Sequence, residues 1–180
     1  LNPFTFKEAA GISHSWVKSD DRVFVSRLGL AFVQNSRKFY PDAPPEDTLQ
    51  RVGSGEFGAE FITEYKVGAL DGRVDWHSKL TLGLPFVYTG KDIFEDGGFT
   101  TEAPLPEDIA SYTTALDVDW ENTFTANITK VISVSLFIRW VYDKYDNTVS
   151  PVVEDDVLVN EADVHRAIRT AGQFKQTMAL

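Results

Sequence analysis

Between Tyr112 and Asp143 apolar and polar side chains alternate almost without interruption. Leu116, Val118, Trp120, Phe124, Ala126 and Ile128 share one parity, and Asp117, Asp119, Glu121, Thr123, Thr125 and Asn127 hold the other. After Thr129-Lys130-Val131 the rhythm resumes, with Ile132, Val134, Leu136, Ile138, Trp140 and Tyr142 opposite Ser133, Ser135, Arg139 and Asp143. A strand turns successive side chains to opposite faces, so this pattern predicts two long antiparallel strands, each with one apolar and one charged face.

The rest of the chain repeats the theme less cleanly. Residues 3–17 predict a first strand with Phe4, Phe6, Ile12 and Trp16 on one face, interrupted there by Glu8 and His14. Residues 22–40 set Phe24, Leu28, Leu30 and Phe32 against Arg27, Gly29, Ala31 and Asn35. Residues 56–69 set Phe57, Ala59, Phe61, Tyr65 and Val67 against Glu56, Glu60, Glu64 and Lys66. Residues 73–90 set Val74, Trp76, Leu80, Leu82, Leu84, Phe86 and Tyr88 against Arg73, Asp75, His77, Lys79 and Thr81. A last strand begins at 170–180. Short polar connections follow residues 17, 69 and 128. Long ones, rich in Pro, Gly and acidic residues, follow 40, 90 and 143. Within the last of these, Asn160 to Arg169 predicts a short helix. The fold expected is all-β: about seven strands in an up-and-down meander, a single domain over 1–180, with the long loops gathered at one end.

Charge pairing suggests registers. Pairing Ala69 with Gly72 sets Lys66 opposite Asp75 and Glu64 opposite His77. Pairing Ile128 with Ile132 sets Glu121 opposite Arg139. Cross-strand opposite charges stabilise by roughly 0.2–1 kcal/mol each.

Alternation by itself does not say which face is inside. A soluble barrel points its apolar face inward, whereas a membrane barrel shows it to lipid and lines its lumen with charge. Three features favour a transmembrane antiparallel β-barrel. The strands are long, short turns alternate with long loops, and aromatics collect near strand ends. On this reading Glu60, Glu64, Lys66, Asp75, His77, Lys79, Asp119, Glu121 and Arg139 form a charged lattice in the lumen, joined by Glu56, Arg27, Arg73, Asp117 and Lys175. Because small barrels are filled by side chains, a neutralising lattice leads over a solute-selective pore. Trp76, Tyr88, Tyr112, Trp120, Trp140 and Tyr142 are the expected lipid-facing and girdle residues. The alternative is a soluble lipocalin-like barrel whose cavity is lined by Trp76, Leu82, Trp120, Phe124, Leu136 and Trp140 and holds an apolar ligand.

Composition narrows the chemistry. A net charge of -10 argues against nucleic acid as a partner, since that takes Lys/Arg patches. The absence of cysteine removes disulfides and thiolate metal sites, and three scattered histidines argue against a histidine-rich metal centre. No cofactor and no catalytic residue is expected. Asp117 with Asp119 is a pair any acidic strand offers, His77 beside Glu64 reads as a structural hydrogen bond, and Ser13-His14-Ser15 has no triad context. Asp143, Asp146, Asn147 and Glu154 to Asp156 lack the spacing of a calcium loop and read as solvated acidic segments. Asn127-Ile128-Thr129 matches a glycosylation acceptor only formally. A chain starting at Leu1 and ending at Met178-Ala179-Leu180 suggests a trimmed fragment.

Asp119-Trp120-Glu121-Asn122-Thr123, the strand Ser133 to Arg139, Tyr142-Asp143 and Gly172-Gln173-Phe174-Lys175 resemble the C-terminal hairpins of an uncharacterised family of Gram-negative outer-membrane proteins. That family is similar in layout to the salt-induced outer-membrane proteins. The resemblance covers residues 112–180 and its motifs are structural. It implies an outer-membrane location, contact with outer-membrane lipid, other envelope proteins as further partners, and strands beyond those visible, because bacterial single-chain barrels have even strand numbers. The family's last strand ends on an aromatic residue, which Leu180 is not.

Overall fold

The computed structural model describes residues 4–40, 49–70, 72–129, 131–169 and, by backbone alone, 173–179. Six long strands follow one another as a meander: β1 (Phe4–Lys18), β2 (Arg22–Phe39), β3 (Gln50–Ala69), β4 (Val74–Tyr88), β5 (Asp117–Asn127) and β6 (Ser133–Tyr142). Between β4 and β5 lie helices α1 (Lys91–Asp96) and α2 (Ile109–Tyr112). After β6 come the two-residue strands β7 (Val153–Glu154) and β8 (Val157–Leu158), helix α3 (Glu161–Ala167) and β9 (Gln173–Ala179), which returns to pair with β6. The large sheet is antiparallel throughout, in the order β1-β2-β3-β4-β5-β6-β9, and open, with β1 and β9 at its edges. The all-β, up-and-down architecture expected from the alternation is the observed one, and α3 sits where a short helix was expected.

Two expectations are corrected. Strand β3 takes in residues 50–55, read from the sequence as loop. Val52, Gly53, Ser54 and Gly55 carry too little side chain to show a rhythm, yet their backbones pair with Arg37, Ser36, Asn35 and Gln34 of β2. The β3–β4 register is also two residues away from the expected one. Ala69 pairs with Val74, so Glu64 faces Lys79 and Lys66 faces His77. The turn runs from Leu70 to Arg73, closed by Arg73 N–H donating to Leu70 O at 3.1 Å, with Leu70 and Gly72 at φ 52 and 78. A shift of two preserves which face each side chain occupies. The β5–β6 register is the expected one, with Glu121 opposite Arg139.

The sheet is strongly curled with its polar face inside. Lys7 of β1 and Val141 and Asp143 at the end of β6 line one cavity of about 240 Å³. Five strand-to-strand steps separate these elements, about 24 Å in a flat sheet. Small residues permit the bend: a Cβ at Gly11 would lie 2.3 Å from Leu28 O, at Gly29 2.6 Å from Ala10 O, and at Gly58 2.4 Å from Leu84 O. On the convex side apolar side chains stand in the open. Ile12 is 77%, Leu28 54% and Trp120 46% exposed.

The buried apolar core is elsewhere. Tyr88, Phe94, Ile109, Tyr145, Val149, Leu158, Val164 and Ala167 form one cluster, drawn from the end of β4 and the two long loops beyond it. Residues 89–116 and 143–169 therefore fold together as a cap with its own dry interior, at the long-loop end of the sheet.

Candidate functional site

All nine residues expected in a polar lattice fall on the concave face, as their pairing shows: Glu60, Glu64 and Lys66 on β3, Asp75, His77 and Lys79 on β4, Asp119 and Glu121 on β5, Arg139 on β6. They are joined chiefly across strands. Arg139 holds Asp119 in a two-point grip, Nε to Oδ1 at 2.9 Å and Nη2 to Oδ2 at 2.6 Å, with Glu121 further off at 3.5 Å. Such a fork is stronger than a single contact. The carboxylate directly opposite Arg139 is thus not its main partner, because the diagonal neighbour meets the guanidinium plane better. Arg27 Nη1 donates to Glu64 at 2.7 Å. Asn127 Nδ2 donates to Asp75 at 3.2 Å and to Gly72 O at 2.9 Å. His77 lies among Lys66, Glu64, Glu121 and Lys79, its Nε2 buried with no hydrogen-bond partner among the described residues. Arg73 precedes β4, and the side chain of Lys175, also expected here, lies outside the described residues.

Lys7 was not anticipated. Its ammonium pairs with Glu60 by reaching over the small side of β2 at Gly29 and Ala31. A pair between first and third strands cannot be read from any single hairpin, and the clue was only the run of Gly and Ala on the strand between.

On the convex face the aromatics form a continuous row near the short turns. Ring centroids step from Trp16 to Phe24 (6.2 Å), Phe24 to Tyr65 (6.0 Å), Tyr65 to Trp76 (5.3 Å) and Trp76 to Phe124 (5.8 Å). Toward the long loops, Phe57 meets Phe86 at 6.2 Å, and Trp140 stacks on Tyr142 at 6.3 Å. Eight residues separate Phe24 from Phe32 and Tyr65 from Phe57. That is about 27 Å of strand, or about 20 Å along the axis of a barrel tilted by ~40°. Within this surface three indoles find acceptors in the chain itself: Trp16 Nε1 donates to Ser26 Oγ at 3.1 Å, Trp76 Nε1 to Asn122 Oδ1 at 3.2 Å, and Trp120 Nε1 to Ser78 Oγ at 3.0 Å.

Two expected girdle residues are placed otherwise. A register shift near Phe86 turns Tyr88 to pair with Glu56, and its ring is buried in the cap with its hydroxyl donating to Val149 O at 2.7 Å. Tyr112 belongs to α2, because β5 starts only at Asp117, and its ring carries the Lys144 ammonium 4.7 Å from the centroid. Trp76, Trp120, Trp140 and Tyr142 share the convex face.

The acidic loop is engaged rather than merely solvated. Arg169 bridges Asp143 at 3.5 Å and Asp146 at 2.9 Å, and Asp146 Oδ1 accepts from Thr148 N–H and Oγ1–H at 3.1 and 2.6 Å. Asn147 Nδ2 donates to Glu56 at 2.7 Å and to Thr113 O at 2.9 Å, tying cap to sheet. No cluster of three or more His, Asp or Glu able to hold a metal occurs among the described residues.

Burial, with help from Asp146, pushes Asp143 up to about 6, against the pull of Arg169. A carboxyl raised above its ordinary 3.8 holds its proton more tightly when folded. The stability it adds is complete below pH ~4 and is lost as pH rises through about 6. Glu161 acts with the opposite sign in a lower window. Burial works against its charged form, but the Ala103 and Glu102 N–H groups hold its carboxyl below the usual range. We expect proteolysis within 143–169 to speed up between about pH 4.5 and 6.5, and Asp143→Asn to flatten that dependence. An unchanged profile in the variant would reject the assignment.

Comparison with protein-family models, curated proteins and solved structures returns no match. The functional reading rests on the geometry.

Proposed function

We propose that this chain is an outer-membrane β-barrel protein of a Gram-negative bacterium, with lipid against its convex face and a charged lumen on its concave one. Its role is structural or transport-related, with other envelope proteins as further partners. The observation that carries the reading is the inversion of the sheet. Apolar side chains cover the convex surface while Lys7, Glu60, Glu64, Asp119 and Arg139 pair inside the curve. Water would favour the opposite arrangement, since exposed apolar area costs about 25 cal/mol per Å². The band between the aromatic rows suits a hydrocarbon layer flanked by girdles. Indole N–H groups satisfied within the chain are what a surface without water requires. The residues of the lipocalin-like alternative, Trp76, Leu82, Trp120, Phe124, Leu136 and Trp140, share this convex face. As β1 and β9 run in the same direction, antiparallel closure takes an odd number of further strands between them.

The test is partition between buffer and detergent, with gel mobility before and after boiling as readout. The expected result is a heat-modifiable band found only in detergent. A monodisperse, folded protein in plain buffer would overturn the proposal and redirect the search to apolar ligands.

A further inference from the structure

We propose that the cap is a hinged lid over the long-loop mouth of the concave face, latched to β2 and the start of β3 by the Arg37–Asp163 ion pair and the Gln50–Glu154 hydrogen bond. The inference rests on the reading of that face as a lumen. The cap is attached unevenly. Its two segments leave and re-enter the sheet through β4, β5, β6 and β9, and its apolar core includes Tyr88 at the end of β4. On that side the anchorage is covalent and dry. Toward β2 and the start of β3 the cap is held by polar pairs among the described residues. Arg37 Nη2 meets Asp163 Oδ1 at 3.1 Å and Gln50 Nε2 donates to Glu154 at 3.1 Å, whereas Asn147, which bonds Ser54 and Glu56, sits between Tyr145 and Val149 on the anchored Tyr88 side. Polar contacts can be exchanged for water with little net loss, whereas parting an apolar interface cannot. Asp163 is buried, and a buried carboxylate that lost its only partner would resist release. Arg166, one helical turn on, also binds Asp163, so this carboxylate keeps a cation when Arg37 lets go. The latch side therefore opens without stranding a charge or exposing the cap's core, and the Tyr88 side stays shut.

The chain has no cysteine, so a single Asn35→Cys, buried on the concave face of β2 two residues before Arg37, reports opening by its rate of labelling with a water-soluble maleimide. We expect slow labelling in that background and labelling about tenfold faster with Arg37→Ala, which corresponds to ~1.4 kcal/mol on the opening equilibrium. Asp163→Asn should act alike, the two together should give about the same tenfold rather than a hundredfold, and Arg37→Lys should stay slow. Rates that multiply, or that ignore these substitutions, overturn the lid. Planar-bilayer conductance separates this from the reading beneath it. Conductance that rises with labelling supports both. Labelling that follows the latch while no variant conducts keeps the lid and overturns a transporting lumen.

Discussion

Leu28→Arg will prevent or severely weaken folding into detergent micelles or bilayers while a similar charge on the concave face is tolerated. Leu28 lies on the convex face, between Ile12 of β1 and Phe61 of β3, midway between the levels of Phe24 and Phe32. Its exposure of 54% makes the test sharp. In water, replacing a half-exposed leucine on an open surface changes stability by about 0.5 kcal/mol at most. At the middle of a hydrocarbon layer the same arginine costs about 2–4 kcal/mol. Thr81→Arg is the control, because Thr81 faces the concave side opposite Asp119. The readout is the fraction of heat-modifiable band and the urea midpoint of unfolding from micelles. A Leu28→Arg variant as stable as its parent would mean that no apolar phase touches this face.

The second large effect is expected at Tyr145. Its ring is 2% exposed and lies against Phe94 (5.5 Å) and Tyr88 (6.1 Å). Its hydroxyl donates to Val149 O at 2.8 Å, and burial, then the neighbouring Tyr88, pushes the phenol up so that it stays neutral. Tyr145→Ala removes the centre of the cap core, a truncation that costs about 3–5 kcal/mol. Tyr145→Phe keeps the ring and should cost only ~1 kcal/mol, because Val149 O retains the Tyr88 hydroxyl. We expect protease to cut the alanine variant rapidly within 89–116 and 143–169 while the strand signal in circular dichroism persists. Loss of both together would mean that cap and sheet form one cooperative unit.

These two substitutions probe parts of the molecule that differ in how far they are legible. Strands β1 to β6 could be read because period-two alternation is local, and each strand carries its own record of which side chains share a face. The β5–β6 register could be read because Glu121 and Arg139 single out one pairing. The β3–β4 register could not, since charges two residues apart satisfy two alignments, Lys66 with Asp75 or Glu64 with Lys79. The choice falls to a turn with left-handed Leu70 and Gly72, held from the neighbouring strand by Asn127 N–H donating to Arg73 O at 2.7 Å. Tyr88 was misplaced for a similar reason. A bulge beside Phe86 is a backbone event that leaves no mark in hydropathy.

The sequence by itself determined a meander of long two-faced strands, their order, and the end at which the long loops gather, because these follow from spacing along the chain. Tertiary structure alone decided which face is concave, since alternation is symmetric and only the curl around Gly11, Gly29 and Gly58 breaks the symmetry. It alone placed Lys7 on Glu60 across an intervening strand. It alone built the cap, whose core joins Phe94 and Ile109 to Tyr145, Val149 and Val164. Those residues are far apart in the chain and meet only once the β5–β6 hairpin brings both loops to the same rim.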